Sequence, residues 1–217
     1  MTAFTNEITS VRPEARFWDR IANSYAKKPI SDEASYQRKL DVTQRYLDAD
    51  MNVLEFGCGT GSTALCHAPQ VKHIRSIDIS PKMIEIAQEK AKSRQVQNVS
   101  FEVGTLDDVD VPTESFDAVL GMSILHLLQD RDGAMLKVHH LLKPGGVFIS
   151  STACLGDNMK YFAPIAYLGR LLRLLPLVRV FTSSDLKASL TSAGFNVEYE
   201  WCPGKNKGVF IVARKPG

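Results

Sequence analysis

The sequence lacks the features that mark several classes of protein. It contains no run of about 18 apolar residues without a charge, which argues against a helix that spans a membrane. Residues 1–17 include acids and no apolar stretch, so we expect no secretory signal. The formal net charge is only +2, so the composition does not indicate nucleic acid or an acidic polymer as a partner.

The cysteines are few, and they show neither metal-binding nor disulfide spacing. The chain has four of them, Cys58, Cys66, Cys154 and Cys202, and no two form a CxxC pair. They also keep no regular spacing with the five histidines, so neither a zinc site nor a disulfide framework is indicated. We therefore expect no bound metal and reduced thiols in a cytoplasmic protein, because disulfides persist mainly in oxidising compartments.

Short apolar runs alternate with longer helical patterns from residue 51 onward, which predicts an α/β fold with a mostly parallel sheet covered by helices on both faces. The predicted strands are 52–56, 73–78, 98–103, 116–122, 145–152, 195–201 and 208–215, with a turn at 143–146 and the last two strands antiparallel. The predicted helices are 62–67, 81–94, 130–142 and 183–194. Two more helical patterns, 15–28 and 34–47, lie before the first strand, so we expect a helical cap over residues 1–50 and the main domain over 51–217.

A glycine-rich loop follows the first predicted strand in the sequence VLEFGCGTGS, residues 53–62. The N–H groups at the start of a helix have no partner within the helix, and glycines let a ligand come close to them. In dinucleotide-binding proteins the pattern is GxGxxG, whereas here Gly57, Gly59 and Gly61 bring the third glycine one residue earlier. The charge of Glu55 would also repel a pyrophosphate. The loop therefore favours a cationic or amine-bearing ligand over a phosphate.

Four stretches in register resemble the motifs of class I S-adenosylmethionine-dependent methyltransferases. They are VLEFGCGTGS at 53–62, SIDIS at 76–80, FDAVLGMSILHLL at 116–128 and LLKPGGVFISS at 141–151. The resemblance implies a Rossmann-like sheet of seven strands, mostly parallel with the last strand antiparallel. It also implies S-adenosyl-L-methionine as the cofactor and methyl transfer as the activity.

The same resemblance implies a set of cofactor-binding residues. Asp78, at the end of the second strand, would accept both ribose hydroxyls, with Ile79 and Met83 flanking the adenine. Thr105 and the Leu106 backbone would contact the adenine, and Asp107 is an alternative for that contact. The remaining members belong to the glycine loop and the fourth strand: Glu55, Gly57, Cys58, Gly59, Gly61 and Gly121. Within the loop, Cys58 is interpreted as a small packing residue rather than a nucleophile.

The candidate catalytic residues follow the fourth and fifth strands or lie in the first helix. His126 would act as a general base or contact the cofactor, since histidine titrates near neutral pH. Cys154, Asp157 and Tyr161 would lie on the acceptor side. Tyr25 and Trp18, both in the first helical pattern, would be core or lid residues that contact the cofactor. A base is needed only where the acceptor must first lose a proton.

An apolar insertion lies at about 155–182, between the fifth strand and the next helix. From residue 164 to 175 its pattern predicts an amphipathic helix with Arg170 and Arg173 on one side and a broad apolar face on the other. Three interpretations stay open: a lid packed on the domain, a wall around an apolar acceptor, or peripheral contact of 160–181 with the inner membrane surface. In the last case Arg170, Arg173 and Arg179 would meet anionic headgroups.

The resulting hypothesis is a methyltransferase that acts by direct displacement on a small, apolar acceptor through an oxygen, nitrogen or sulfur nucleophile. A lipid amine, a quinone-like phenol and a thiol or sulfide are all open as acceptors. The NPP(Y/F) signature of methylases for exocyclic or amide nitrogens is absent, which argues against a nucleic-acid amine. The alternatives are a non-catalytic S-adenosylmethionine-binding or membrane-surface module and a nicotinamide-dependent oxidoreductase. The sequence contains no signal for the oligomeric state.

Overall fold

A computed structural model describes residues 12–159, 162–171, 174–205 and 207–217. The strands are β1 (Asn52–Phe56), β2 (His73–Asp78), β3 (Val99–Val103), β4 (Phe116–Met122), β5 (Leu142–Thr152), β6 (Asn196–Trp201) and β7 (Val209–Arg214). The helices are α1 (Ala15–Lys27), α2 (Glu33–Gln44), α3 (Ser62–His67), α4 (Pro81–Ser93), α5 (Arg131–Leu141), α6 (Phe162–Leu171) and α7 (Ser183–Ser192).

The seven strands form one sheet in the order β3-β2-β1-β4-β5-β7-β6. The pairs from β3 to β5 are parallel, and β7 runs antiparallel to both β5 and β6. The predicted seven-stranded α/β fold with an antiparallel last strand is confirmed. In such a sheet the carboxyl ends of β1, β2, β4 and β5 meet at one edge, where α/β proteins bind their ligands.

The sheet is buried on both faces, because its strands alternate side chains between two hydrophobic clusters. Leu54 and Phe56 of β1 point into one cluster, which α5 and α7 cover with residues such as Met135 and Leu186. Val53, between them in sequence, belongs to the other cluster, to which α2, α3 and α4 contribute. This packing holds the ends of β1 and β4 rigidly at the ligand edge.

Side-chain caps start the helices that follow the strands. Ser80 accepts a hydrogen bond from Met83 N at the start of α4, and Asp130 accepts one from Gly133 N at the start of α5. Such caps satisfy N–H groups that have no partner within the helix and contribute about 1 kcal/mol each. The predicted turn at 143–146 is wrong, because β5 already begins at Leu142, which pairs with Phe116 of β4 across an irregularity in register.

The helix of the insertion is shorter than predicted. Helix α6 ends at Leu171, and the N–H groups of Leu174 and Leu175 both donate to the Gly169 carbonyl oxygen, which closes the helix end. The extension of the helix to Leu175 is therefore wrong. Tyr161 and Arg173 lie outside the described residues, as does the side chain of Arg170. None of the described helices combines the length and the apolar composition needed to cross a lipid bilayer.

We expect Gly61→Ala to destabilise the fold more than Gly145→Ala. Both glycines have a positive φ, 73° and 77°, so alanine at either site costs about 1–2 kcal/mol in backbone strain. A Cβ at Gly61 would also lie 2.7 Å from the Phe101 ring and 2.9 Å from the Ala87 side chain, whereas one at Gly145 meets no atom of the described residues within 4 Å. Overpacking should add about 1–3 kcal/mol at Gly61 only. Urea unfolding measures the difference, and equal losses for the two variants would contradict this account.

Candidate cofactor and acceptor site

The glycine loop between β1 and α3 uses its three glycines for two different reasons. Gly57, Gly59 and Gly61 have φ values of 65°, 53° and 73°, a region that side chains rarely adopt. A Cβ at Gly57 would clash with the Ile124 side chain at 2.7 Å, and Gly61 is similarly crowded by Phe101. Among the described residues, a Cβ at Gly59 would meet only Tyr25 Cε1 within 4 Å, at 3.9 Å. Gly59 is therefore the position where a ligand finds open backbone.

Asp78, the last residue of β2, holds this loop in place. One carboxylate oxygen accepts a hydrogen bond from Gly59 N at 2.8 Å, and the other accepts one from Ser80 N at 2.9 Å. Burial raises the pKa of the Asp78 carboxyl, while the Ser80 and Gly59 bonds act in the opposite direction. Each oxygen accepts one backbone bond here and has a second lone pair. Asp78 can therefore receive hydroxyl groups of a ligand while it keeps the loop closed.

Glu55 lies below the loop and is almost entirely buried, with 1% of its surface exposed. Burial raises the pKa of this carboxyl to about 8, although hydrogen bonds from Ser76 Oγ and the Ala64 backbone favour the ionised form. In the chain without a ligand the carboxyl is therefore protonated at neutral pH. Without a ligand, Glu55 therefore carries no negative charge that would repel a pyrophosphate, contrary to the expectation from the sequence. A cation placed beside it would favour the carboxylate.

The loop after β3 is organised by Asp108 rather than by a free acid. Asp108 accepts hydrogen bonds from Thr105 N and Thr105 Oγ1, and Arg12 pairs with both of its oxygens at 2.7 and 2.8 Å. The Asp107 side chain is 93% exposed and lies 3.6 Å from Lys137 Nζ. Leu106 is buried in the core. Between the two alternatives for the adenine contact, this geometry favours Thr105 and the Leu106 backbone.

Helix α1 packs alongside α4 and covers the loop from above. Asp19 Oδ1 accepts hydrogen bonds from Ser80 Oγ at 2.6 Å and from Lys82 N at 3.2 Å, so α1 is fastened to the first turn of α4. Tyr25, half exposed, lies over Gly59. Burial, with a smaller effect of the Asp78 charge, raises the pKa of the Tyr25 phenol. Tyr25 therefore stays protonated at neutral pH and suits a donor better than a base. Sequence reasoning missed Asp19, since no motif marks it.

The remaining predicted cofactor residues described by the structure differ in their environments. Met83 is buried in α4, and Ile79 is half-buried directly after Asp78. A Cβ at Gly121 would meet the rings of Phe56 and Phe148 at about 3 Å, so this glycine has a packing reason. Cys58 is buried, and burial raises the pKa of its thiol well above the ordinary value. That surrounding agrees with the packing interpretation of Cys58.

His126 and Cys154 both lie on the carboxyl side of the sheet, where burial makes His126 a weak base and keeps the Cys154 thiol protonated at neutral pH. Burial lowers the pKa of His126 to about 4, and its Nδ1 is buried with no hydrogen-bond partner among the described residues. Burial raises the pKa of Cys154 to about 12, with a further contribution from Asp157. The neutral imidazole can contact a ligand. Asp157 accepts bonds from Ser183 N, which ties it to the start of α7.

A cavity of about 440 Å³ lies between the start of α5 and the segment that follows α6. One wall is largely apolar and the other is polar; the lining residues are Gln129, Asp130, Arg131, Asp132, Tyr167, Leu177, Val178, Arg179, Val180 and Phe181. Arg179 N donates to the His126 carbonyl oxygen at 2.8 Å, which joins this segment to the loop after β4. The cavity therefore borders the loop that contains His126.

These features fit S-adenosylmethionine. The molecule has ribose hydroxyls, an ammonium group and a sulfonium, and it contains no phosphate. The open backbone at Gly59, the accepting oxygens of Asp78 and the buried carboxyl of Glu55 match those groups in chemistry. Among the described residues no group of three or more His, Cys, Asp or Glu side chains is arranged to hold a metal ion.

We expect Glu55→Gln to flatten the pH dependence of stability. The folded chain keeps the Glu55 proton up to about pH 8, whereas the unfolded chain loses it near the ordinary value of 4.5. Burial of this acid therefore makes the free energy of unfolding fall as pH rises from about 5 to 8. Urea unfolding across that range should show the wild type losing at least about 1 kcal/mol more than Glu55→Gln. The exposed Glu102→Gln serves as the control, and parallel curves for wild type and Glu55→Gln would refute the account.

The comparisons with known proteins agree with this geometry. A model of the methyltransferase-domain family matches residues 47–209, well over half of the chain. YcgJ of Bacillus subtilis, named an uncharacterized methyltransferase, is 34% identical over 101 residues, 46% of this chain and 40% of that protein. The demethylmenaquinone methyltransferase of Tropheryma whipplei is 27% identical over 173 residues, 78% of this chain and 70% of that protein.

A solved structure extends the likeness to the whole fold. The [4+2]-cyclase SpnF superposes with a TM-score of 0.75 at 20% identity, covering 93% of this chain and 94% of that one. This likeness concerns the fold alone. The match to the family model is what assigns the sequence: the chain belongs to the methyltransferase-domain family and has the class I S-adenosylmethionine-dependent methyltransferase fold.

Proposed function

We propose that this chain moves the methyl group of S-adenosylmethionine to a small, apolar acceptor by direct displacement. The observation that carries the proposal is the loop between β1 and α3. There the backbone of Gly59 is accessible to a ligand. The Asp78 carboxylate, at the end of the neighbouring strand, accepts a hydrogen bond from Gly59 N.

The residues divide the work of holding the cofactor. Asp78 would accept the ribose hydroxyls, and the backbone at Gly59 would lie against the methionine part. Glu55, which is protonated in the absence of a ligand, would ionise beside the positive groups of the cofactor. Their attraction would then offset part of the free-energy cost of burying its charge. When bound, S-adenosylmethionine supplies a methyl group already activated by a sulfonium. Tyr25 on α1 would cover the loop and exclude water, which favours alignment of the reacting groups.

One wall of the cavity suits an apolar substrate. Leu177, Val178, Val180 and Phe181 line the cavity beside the His126 loop. The Tropheryma whipplei relative is named a demethylmenaquinone methyltransferase, and such a substrate is apolar. A neutral His126 at this place would contact the acceptor rather than carry a charge into an apolar site.

A second candidate, a module that contacts a membrane surface, is favoured by the exposure of α6. Tyr167, Leu168 and Leu171 are 74%, 55% and 68% exposed, so this face of α6 is not packed against the described part of the domain. Flotation with anionic vesicles separates this candidate from a purely cytoplasmic enzyme. The nicotinamide-dependent alternative loses its basis, because the family is one of methyltransferases.

We expect Asp78→Ala to weaken binding of S-adenosylmethionine at least tenfold, because a hydrogen bond to a buried carboxylate contributes about 1.5–3 kcal/mol. Asp117→Ala is a matched control. Asp117 also accepts a hydrogen bond from a backbone group, Asn52 N, at 2.9 Å, and it forms an ion pair with Lys143. It lies at the edge of the sheet opposite the ligand edge. Isothermal calorimetry should show an affinity within about twofold of wild type for the control. Unchanged affinity in Asp78→Ala would remove Asp78 from the site.

The activity itself is tested by incubating the protein with methyl-labelled S-adenosylmethionine and a cell extract, then identifying the labelled product. We expect label in a small apolar compound and none with Asp78→Ala. Saturable cofactor binding without transfer to any compound would instead support a non-catalytic binder.

A further inference from the structure

Helix α2 brings a lysine to the end of β5, at the ligand edge of the sheet. Lys39 Nζ donates to Ser151 Oγ at 2.8 Å, and Ser151 is nearly fully buried, one residue before the end of β5. Gly208, just before β7, packs against the same hydroxyl, since a Cβ there would lie 3.3 Å from Ser151 Oγ. The ammonium group is thus held at a defined position by a residue of the sheet.

This ammonium group has no carboxylate within ion-pair distance among the described residues. The acid with the strongest electrostatic effect on Lys39 is Asp32, the N-cap of α2, which forms an ion pair with Lys207 Nζ at 3.2 Å. Cys202 is the other group of acidic type that faces Lys39. Two lysines therefore share one carboxylate at this corner. Burial lowers the pKa of Lys39, so a partly desolvated ammonium is left that an anion would stabilise.

The corner adjoins α3 and the end of β4, two elements that flank the proposed cofactor site. Tyr36, one turn earlier on α2, has its hydroxyl 4.0 Å from Cys66 Sγ in α3, the helix that follows the glycine loop. Ser151 pairs with Met122 at the end of β4, and Ser123 N donates to the Ser151 carbonyl at 2.7 Å. In the sheet, β5 is separated from β1 by β4 alone, a spacing of about 10 Å. A small acceptor can span that distance.

We propose that Lys39 binds the ionised oxygen of the methyl acceptor, which makes the acceptor a phenol, an enol or a carboxylic acid rather than an amine. The inference rests on the proposed function. An ammonium at this position attracts an oxyanion and repels a protonated amine, and it stabilises the anionic form that attacks carbon.

The charges balance through the reaction. The acceptor gives its proton to water before it binds, and its oxygen then donates an electron pair to the methyl carbon. The carbon–sulfur bond breaks with its pair left on sulfur, so the products are a neutral ether or ester and a neutral thioether. The product no longer carries the charge that Lys39 attracts, which favours its release.

Three probes of equal size test the charge preference: 2-naphthoate, 2-naphthalenemethanol and 2-naphthylmethylammonium. Calorimetry is first performed with S-adenosylhomocysteine, and the probes are then titrated into the saturated protein. We expect 2-naphthoate to bind at least tenfold more tightly than the neutral alcohol, and the cation to bind most weakly. Lys39→Met should lose at least tenfold in affinity for 2-naphthoate only, and Lys39→Arg should retain most of it.

Two further variants separate the charge from the fold. Lys187→Met makes the same change on the exposed surface of α7, where Lys187 pairs with Glu200, and should leave all three affinities unchanged. Ser151→Ala removes only the hydroxyl that holds the ammonium and should lower 2-naphthoate affinity severalfold. Equal affinity for 2-naphthoate and the alcohol, no measurable binding of any probe, or unchanged 2-naphthoate affinity in Lys39→Met overturns the proposal. Failure to bind S-adenosylhomocysteine instead overturns the proposed function.

Discussion

The ligand edge of this protein depends on one carboxylate that is shared by several backbone segments. Asp78 accepts hydrogen bonds from Gly59 and Ser80, so it joins β2, the glycine loop and the start of α4. Ser80 in turn donates to Asp19, which fastens α1 above the loop. Buried polar networks are stable only when every member has its hydrogen-bond partners. A substitution of Asp78 would therefore disturb both the glycine loop and helix α1, which covers it.

Charge is distributed unevenly along this edge, and the distribution suits a transfer between two differently charged partners. Glu55 and Asp78 lie below the loop where a cationic cofactor fits, and burial disfavours their charged forms until a cation arrives. At the end of β5 the excess charge has the opposite sign, through Lys39. A sulfonium at one end and an oxyanion at the other would each find the complementary group, and both charges disappear when the methyl group moves.

Much of the fold could be predicted because its signals are local. The alternation of apolar runs and helical patterns placed β1, β2 and β4 within their observed bounds, since strand and helix periodicities differ over a few residues. The helix of the insertion was overextended, because a periodic pattern does not reveal that Leu174 and Leu175 turn back to the Gly169 carbonyl oxygen. The roles assigned to individual site residues stay predictions, as do the cap and insertion boundaries.

By itself, the sequence determined the order of the elements, the glycine loop after β1 and the acid at the end of β2, because each is written in neighbouring residues. Only the tertiary structure decided why each glycine is needed: Gly57 and Gly61 give room to Ile124 and Phe101, and Gly59 alone stays open. It also decided that Lys39 meets Ser151, 112 residues further along the chain. Contacts of that range arise from how the elements pack, and no local pattern contains them.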